Sequence, residues 1–401
     1  MATKKAAQAF DAFTERFLKT HKTPLIPANQ VHPYKVIPTG SLALDYALGV
    51  GGWVEGRLVE LWGTDAIGKT TLSLLSVVEA QKLYPDKLCA FIDVEQTFDV
   101  GLALGLGVDM NRLMVFAPEN AEKVADALKD LIQARPDMTA TQRGTPGSNF
   151  FKLIVLDSIG AMIPEVEKQK DADAAVIAAQ AKVVTRMVKI AATEAHFNDS
   201  VVLMINQVRA NMSQYGSPMQ TGGGWALRHG TTHKVQLARS GGADGIYKVK
   251  VDGDERIVGY QIAAKVERNK VAPPGRVATL NLFNQATEAY GPRGVDKADE
   301  ALVLGLRRDV GMIVRSGAWY TLTTTGERVQ GQDAMRDLLR ANPDEVEKIR
   351  LAAVASLANE VVTDAPPPDG EVDEDEEPTE APLSEDLAFD RGGISARADH
   401  A

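Results

Sequence analysis

Apolar and polar positions along the chain switch between two periods. Short, nearly continuous apolar runs appear as GRLVELW (56–62), LCAFID (88–93), LMVFAP (113–118), FKLIVLDS (151–158) and VVLMINQVR (201–209). Runs of this length bounded by polar segments read as strands, with GRLVELW and VVLMINQVR as buried ones. Between them, residues 72–83, 121–134 and 174–195 carry helical apolar spacing. Strand and helix in alternation predict an α/β fold with a mostly parallel twisted sheet. Later strands are predicted over 233–239, 247–251, 260–266 and 277–283. From residue 288 a small α+β region follows, with helical patterns near 298–306 and 333–339 and GAWYTL and TTGERV between them. At the other end, residues 1–21 read as a short helix with Phe10, Phe13 and Phe17 at i, i+3 and i+7. Lys4, Lys5, Arg16 and Lys19 line its other faces, and Pro24 and Pro27 break it. Its apolar stripe needs a cover, either its own domain or a neighbouring subunit. The expected organisation is a helix and linker over 1–35, a core over 36–287, a small domain over 288–360 and a tail over 361–401.

Charge changes this picture at one place. The net charge over 401 residues is −10. From Glu360 onward 14 acidic residues stand against 2 basic ones, which leaves 40 acidic and 42 basic in the first 359. The body is therefore near neutral and slightly basic, and binding to nucleic acid is open to it. The tail, with APPP and EVDEDEEP, is low in complexity and expected to be disordered. A hydrophobic content of 44% suffices for one large domain and a smaller one. The single cysteine, Cys89, excludes an internal disulfide and lies in an apolar strand pattern. No stretch has some 18 uninterrupted apolar residues, and the N-terminus lacks a signal peptide's apolar core. A cytoplasmic protein without a membrane partner is expected. The six His and one Cys show no zinc spacing.

The chemistry concentrates where the first buried run meets the first long helix. There the chain reads Gly63-Thr64-Asp65-Ala66-Ile67-Gly68-Lys69-Thr70-Thr71. This fits G-x-x-x-x-G-K-[ST], the phosphate-binding loop. The glycines let successive N–H groups point into one concavity, and Lys69 reaches the terminal phosphates. The Thr70 hydroxyl can sit on Mg²⁺, and the next helix adds its positive dipole end. The strand before and the helix after are the context that the motif requires. Asp93, Glu95 and Asp99 stand at the carboxyl end of a second strand, where open α/β sheets bind ligands. Glu95 is the candidate to hold a water for attack on the terminal phosphate. The run 151–158 ends in Asp157, 87 residues after Thr70, and suits a carboxylate that supports the metal. The run 201–209 ends in Asn206 and Gln207 and opens into RANMSQYGSPMQTGGG. A loop with Met and one aromatic at that end of the sheet is a candidate functional loop.

In this order, IPTGSLALDYALG, the phosphate loop, FIDVE, VLDS, INQVR, TGGGWALR, ERNK and SGAWY resemble the RecA recombinases over residues 36–357. The resemblance implies a DNA-dependent ATPase of recombination and repair, with ATP and Mg²⁺ as cofactors. It implies a helical homo-filament on single-stranded DNA that pairs with a homologous duplex, with single-strand-binding protein and loading factors as further partners. Lys69 and Thr70 would hold phosphate and metal, Asp157 would support the metal, and Asp99 would face the adenine. Glu95 would position the attacking water, and Gln207 would sense the terminal phosphate and pass its state to the following loop. Arg268 and Lys270 would reach the ATP of the next subunit. DNA would lie on a first loop near 165–176, on Lys182, Thr185 and Lys189, and on a second loop with Arg209, Met212, Tyr215, Gly223 and Gly224. The chain departs from the pattern in several places. The first loop, EVEKQKDADAAV, lacks glycine, Leu102 stands where an adenine-stacking Tyr is usual, Arg268 replaces a Lys, and residues 135–149 look inserted. A helicase-type motor and a non-catalytic ATP-switched scaffold are the competing readings. The intact base and phosphate loop speak against the scaffold, and SGAWY and TGGGWALR against the helicase.

Overall fold

The computed structural model describes residues 4–21, 34–135, 149–165, 174–210, 219–221 and 224–358. The first helix is α1 (Lys4–His21), followed by β1 (Val36–Ile37), α2 (Leu42–Leu48) and β2 (Trp53–Val54). The alternating core runs β3 (Leu58–Gly63), α3 (Lys69–Leu83), β4 (Leu88–Asp93), α4 (Val100–Gly105), β5 (Leu113–Phe116) and α5 (Ala121–Gln133). It continues through β6 (Phe151–Asp157), α6 (Ala174–Asn198), β7 (Val201–Ala210), β8 (Met219–Thr221), α7 (Gly224–Gly230) and β9 (His233–Arg239). The chain then turns antiparallel in β10 (Ile246–Val251), β11 (Asp254–Asn269), β12 (Val277–Phe283) and β13 (Gly294–Val295). The last elements are α8 (Lys297–Gly305), β14 (Ile313–Ser316), β15 (Trp319–Leu322), β16 (Arg328–Gln330), α9 (Gln332–Ala341) and α10 (Pro343–Ala358).

The main sheet has the order β13-β12-β11-β9-β3-β7-β6-β4-β5. From β9 through β5 all neighbours are parallel, whereas β11 is antiparallel to both β9 and β12. The α/β class and the largely parallel sheet expected from the apolar runs are thus what the chain forms. Four of the runs are continuous because both faces are covered, whereas Met114, Val115 and Phe116 of the edge strand β5 are exposed. Leu153 and Val155 of β6 enter one core with α3, while Ile154 and Leu156 enter the other with α5 and α6. In β7, Leu203 and Ile205 face the first core and Val202 and Met204 the second. This period-2 division explains why the stretches 153–156 and 201–205 carry no polar face.

A third core gathers α8, α9, α10 and the β14-β15-β16 sheet, and Leu42 of α2 belongs to it. Glu300 of α8 accepts from the Ser41 hydroxyl at 2.7 Å and from Leu42 N–H at 2.6 Å, so it caps the start of α2. Arg350 of α10 donates to Gly51 O at 3.0 Å and lies 3.6 Å from Asp45. On α1, Phe10 is 55% and Phe13 42% exposed. No helix among the described residues is long and apolar enough to cross a membrane.

Candidate functional site

Strand β3 delivers the chain to the carboxyl edge of the sheet, and the loop from Gly63 to Gly68 curls back into α3. Thr64, Asp65 and Ala66 are exposed at its crest, while Ile67 is buried and anchors it. Gly68 has φ +95, and a Cβ there would come within 2.1 Å of Leu282. A Cβ on Gly63 would meet Leu237 O at 2.5 Å. Both positions therefore require glycine, one for backbone conformation and close approach, the other for approach alone. The start of α3 carries no side-chain cap, so its first N–H groups point into the concavity of the loop. Lys69 is buried and donates to Gly63 O at 3.0 Å and Thr64 O at 2.7 Å. Burial pulls the Lys69 ammonium below its ordinary range, and Asp65, Asp157 and Glu95 oppose that shift. An uncapped helix start beside a half-desolvated cation is a fit for polyphosphate.

Parallel pairing sets the other groups around this loop. Asp93 of β4 lies opposite Asp157 of β6, and Gly63 of β3 opposite Gln207 of β7. The Thr70 hydroxyl, on the first turn of α3, donates to Asp157 Oδ2 at 2.7 Å. Burial lifts the Asp157 carboxyl to about 6, with Glu95 and Asp93 adding to the shift and the Thr70 hydrogen bond opposing it. One hydroxyl and one carboxylate, beside a phosphate loop, suit Mg²⁺, which takes few protein ligands and completes its shell with phosphate and water. Asp93 is turned away from this task, since it accepts from Thr97 N–H at 3.1 Å and Phe98 N–H at 2.9 Å and so fixes the bend after β4. That bend carries Glu95, whose Oε1 accepts from Gln207 Nε2 at 2.7 Å and from the Ser158 hydroxyl at 2.5 Å. A carboxylate oriented by two donors from the ends of two other strands is placed as a general base is. Asp99 caps α4 by accepting from Leu102 N–H at 2.9 Å and is exposed at the same edge.

Helix α6 lies on the face of the sheet that also carries α5 and α7. Val184, Met187, Val188, Ala191 and Ala195 are buried in that core. At about 100° per residue these positions occupy one side of the helix, and Lys182, Thr185 and Lys189 fall on the opposite side. Lys182 and Lys189 are exposed and Thr185 half-buried. Arg186 shares that side and is exposed, and the spacing i, i+4, i+7 was the signal for it. Glu194 is the first carboxylate of α6, so the stripe is wholly basic. Gly224 opens α7, which packs beside α6 through Leu227.

Comparison with known proteins agrees with this geometry. The profile described as RecA N-terminal domain matches residues 5–287. The protein RecA of Thermotoga neapolitana is 33% identical over 347 residues, covering 85% of this chain and 90% of the relative. The protein RecA of Mesorhizobium japonicum is 34% identical over 325 residues, 80% of either chain.

The chain belongs to the RecA family.

Two of the RecA-like site residues stand apart from the rest. Arg268 pairs with Lys234 and Asn269 with His233 across β11 and β9, and His233 pairs in turn with Val59 near the start of β3. The phosphate loop leaves β3 at its far end, after Gly63. Four residues of strand separate these edges, roughly 13 Å. Arg268 and Lys270 therefore do not meet Lys69 of their own chain. Lys270 Nζ donates to His229 O at 2.5 Å. Leu102, at the position where this RecA-family chain lacks a Tyr, packs against the first core. Arg209 lies on β7 opposite Gln220 of β8, at the root of the second loop. Met212, Tyr215 and Gly223, residues 166–173 of the first loop, the insertion over 136–148 and the tail from 359 onward lie outside the described residues. Sequence reasoning missed Ser158 as a partner of Glu95 and Glu60 as the partner of Asn206, the latter at 2.9 Å in the core. Both join residues far apart in the chain and leave no local signal.

Proposed function

We propose that this RecA-family protein is a DNA-dependent ATPase that assembles a helical filament on single-stranded DNA and exchanges strands with a homologous duplex. The observation that carries the reading is the Gln207–Glu95 hydrogen bond at 2.7 Å. Gln207 stands near the end of the strand that feeds the second loop, and Glu95 is close enough to Lys69 of the phosphate loop to act on its charge. A single side chain thus links the group that would activate water to the segment that would hold DNA.

Bound ATP with Mg²⁺ supplies the electrophilic phosphoryl group and neutralises charge on it. Lys69 turns from the loop carbonyls toward the terminal phosphates, and the α3 N–H groups hold the remaining oxygens. Thr70 and Asp157 support the cation. Glu95 orients the attacking water and receives its proton. Gln207 releases Glu95 when it turns to the terminal phosphate, and β7 carries that change into the loop. Lys182, Thr185, Lys189 and the second loop take DNA phosphates without regard to sequence. Arg268 and Lys270, stranded at the opposite edge of their own sheet, reach the ATP of an adjacent copy, which makes assembly and hydrolysis interdependent. The exposed Phe10 and Phe13 of α1 dock on that copy. The acidic tail competes with DNA for basic surface. A cytoplasmic location suits this work.

Electron microscopy with ATP and single-stranded oligonucleotide tests the assembly. Open helical filaments are expected. Closed rings would instead favour the helicase-type motor, which shares the core but works by directional unwinding.

A further inference from the structure

Arg57 precedes β3, at the sheet edge opposite the phosphate loop, where its carbonyl accepts from Val202 N–H at 3.1 Å. Its side chain lines a cavity of about 340 Å³ together with Tyr34, His229, Thr232 and Lys270. No carboxylate is among the lining residues. Partial burial lowers the Lys270 ammonium, and the neighbouring Arg268 and Arg57 lower it further. Arg57 and Lys270 thus share one concave surface, and Arg268 stands close enough to Lys270 to act on its charge. Two other half-buried arginines do have carboxylate partners, Arg112 with Asp109 at 2.8 Å and Arg336 with Asp299 at 2.6 Å. Neither Arg57 nor Arg268 has a side-chain hydrogen-bond or ion-pair partner among the described residues. Like charges held together at a cost, with no internal counter-charge, mark a surface completed by an external anion.

The anion does not come from the same chain's nucleotide site. Five residues of strand separate Leu58 from Gly63, roughly 16 Å, beyond the reach of an arginine side chain. We propose that Arg57 joins Arg268 and Lys270 as a third cation for the polyphosphate held on the Lys69 loop of an adjacent copy of this chain. This rests on the reading that the nucleotide lies between copies. Arg57 brings a planar, permanently charged fork to a cluster in which Lys270 is a point charge. It would stabilise charge on the phosphoryl group as it transfers.

A mixing experiment on the full chain tests the assignment. Arg57→Gln alone should lose about 10-fold or more of DNA-stimulated ATP turnover, with its melting temperature kept, and Arg57→Lys should recover part of it. Lys69→Ala alone should be inactive. Mixed one to one, the two variants should regain roughly a quarter of the wild-type rate, because half the intact phosphate loops then face an intact Arg57 in a head-to-tail assembly. Unchanged turnover in Arg57→Gln would overturn the proposal. So would lost turnover that mixing does not restore, or a loss confined to DNA affinity, which would assign the cluster to DNA phosphates. The same mixture made with Lys270→Ala separates the two levels. Restoration there but not with Arg57→Gln removes Arg57 alone, whereas failure in both removes the shared nucleotide site as well.

Discussion

Glu95 is held by donors from β7 and from the segment after β6, so its orientation depends on three strand ends keeping register. Glu95→Gln keeps the shape and removes the base. Turnover should fall by about 10² to 10⁴ while nucleotide binding persists, as a fluorescent ATP analogue would show. Equal loss of binding would mean that Glu95 holds the loop rather than the water. Glu300 and Asp45 give a separate prediction about stability. Burial lifts the Glu300 carboxyl to about 8 and Asp45 to about 7. The folded state binds these protons more tightly than the unfolded chain, so the contribution is full below about pH 4 and is lost as pH rises through 7 to 8. Glu300→Gln should flatten the fall in melting temperature between pH 5 and pH 8, and an unaltered slope would exclude Glu300 as its source. At this scale the phosphate loop was legible because its spacing is dictated by ligand geometry. Lys69, Thr70 and Asp157 came together as the spacing required. The Ser158–Glu95 and Asn206–Glu60 contacts were not legible, since they join strands that only the sheet order makes neighbours.

Helix α6 shows how packing energy sets a functional face. Burying Val184, Met187 and Val188 is worth about 1.5–3 kcal/mol for each side chain, which fixes the rotation of the helix and keeps its basic stripe outward. Lys189→Ala should weaken single-stranded DNA binding about equally across sequences. It should also reduce the slope of log affinity against log salt by about 0.7. An unchanged slope in a fluorescence anisotropy titration would remove Lys189 from the DNA face. Amphipathic elements such as α6 were readable from their period. The hairpin of β10 and β11 was readable only in part, because its outer residues, such as Arg256 and Ile257, are exposed and no core imposes alternation on them. Helix α10 escaped the reading although Val346, Ile349 and Ala353 are buried at i, i+3 and i+7, because small and charged residues dilute that stripe.

At the scale of the whole molecule, charge is divided between a near-neutral body and a strongly acidic end. Cutting the chain before Glu360 should raise affinity for duplex DNA and lessen its dependence on Mg²⁺. Identical binding by the cut and full chains would mean that the tail does not compete for the basic surface. The nucleotide edge and the Arg57, Arg268 and Lys270 edge lie on opposite sides of the same sheet's strand ends, the arrangement that the proposed head-to-tail filament needs. The sequence held all of these residues, but their separation appears only once β11 is seen to run antiparallel to β9.

The most direct test of coupling between the nucleotide and DNA sites is ATP hydrolysis measured with and without single-stranded DNA, at two salt concentrations, for the wild type and Lys69→Ala. The account predicts strong stimulation by DNA, weaker at the higher salt and absent from Lys69→Ala. Hydrolysis by the wild type that is indifferent to DNA would contradict the Gln207 link and leave a phosphate-loop ATPase without a DNA switch.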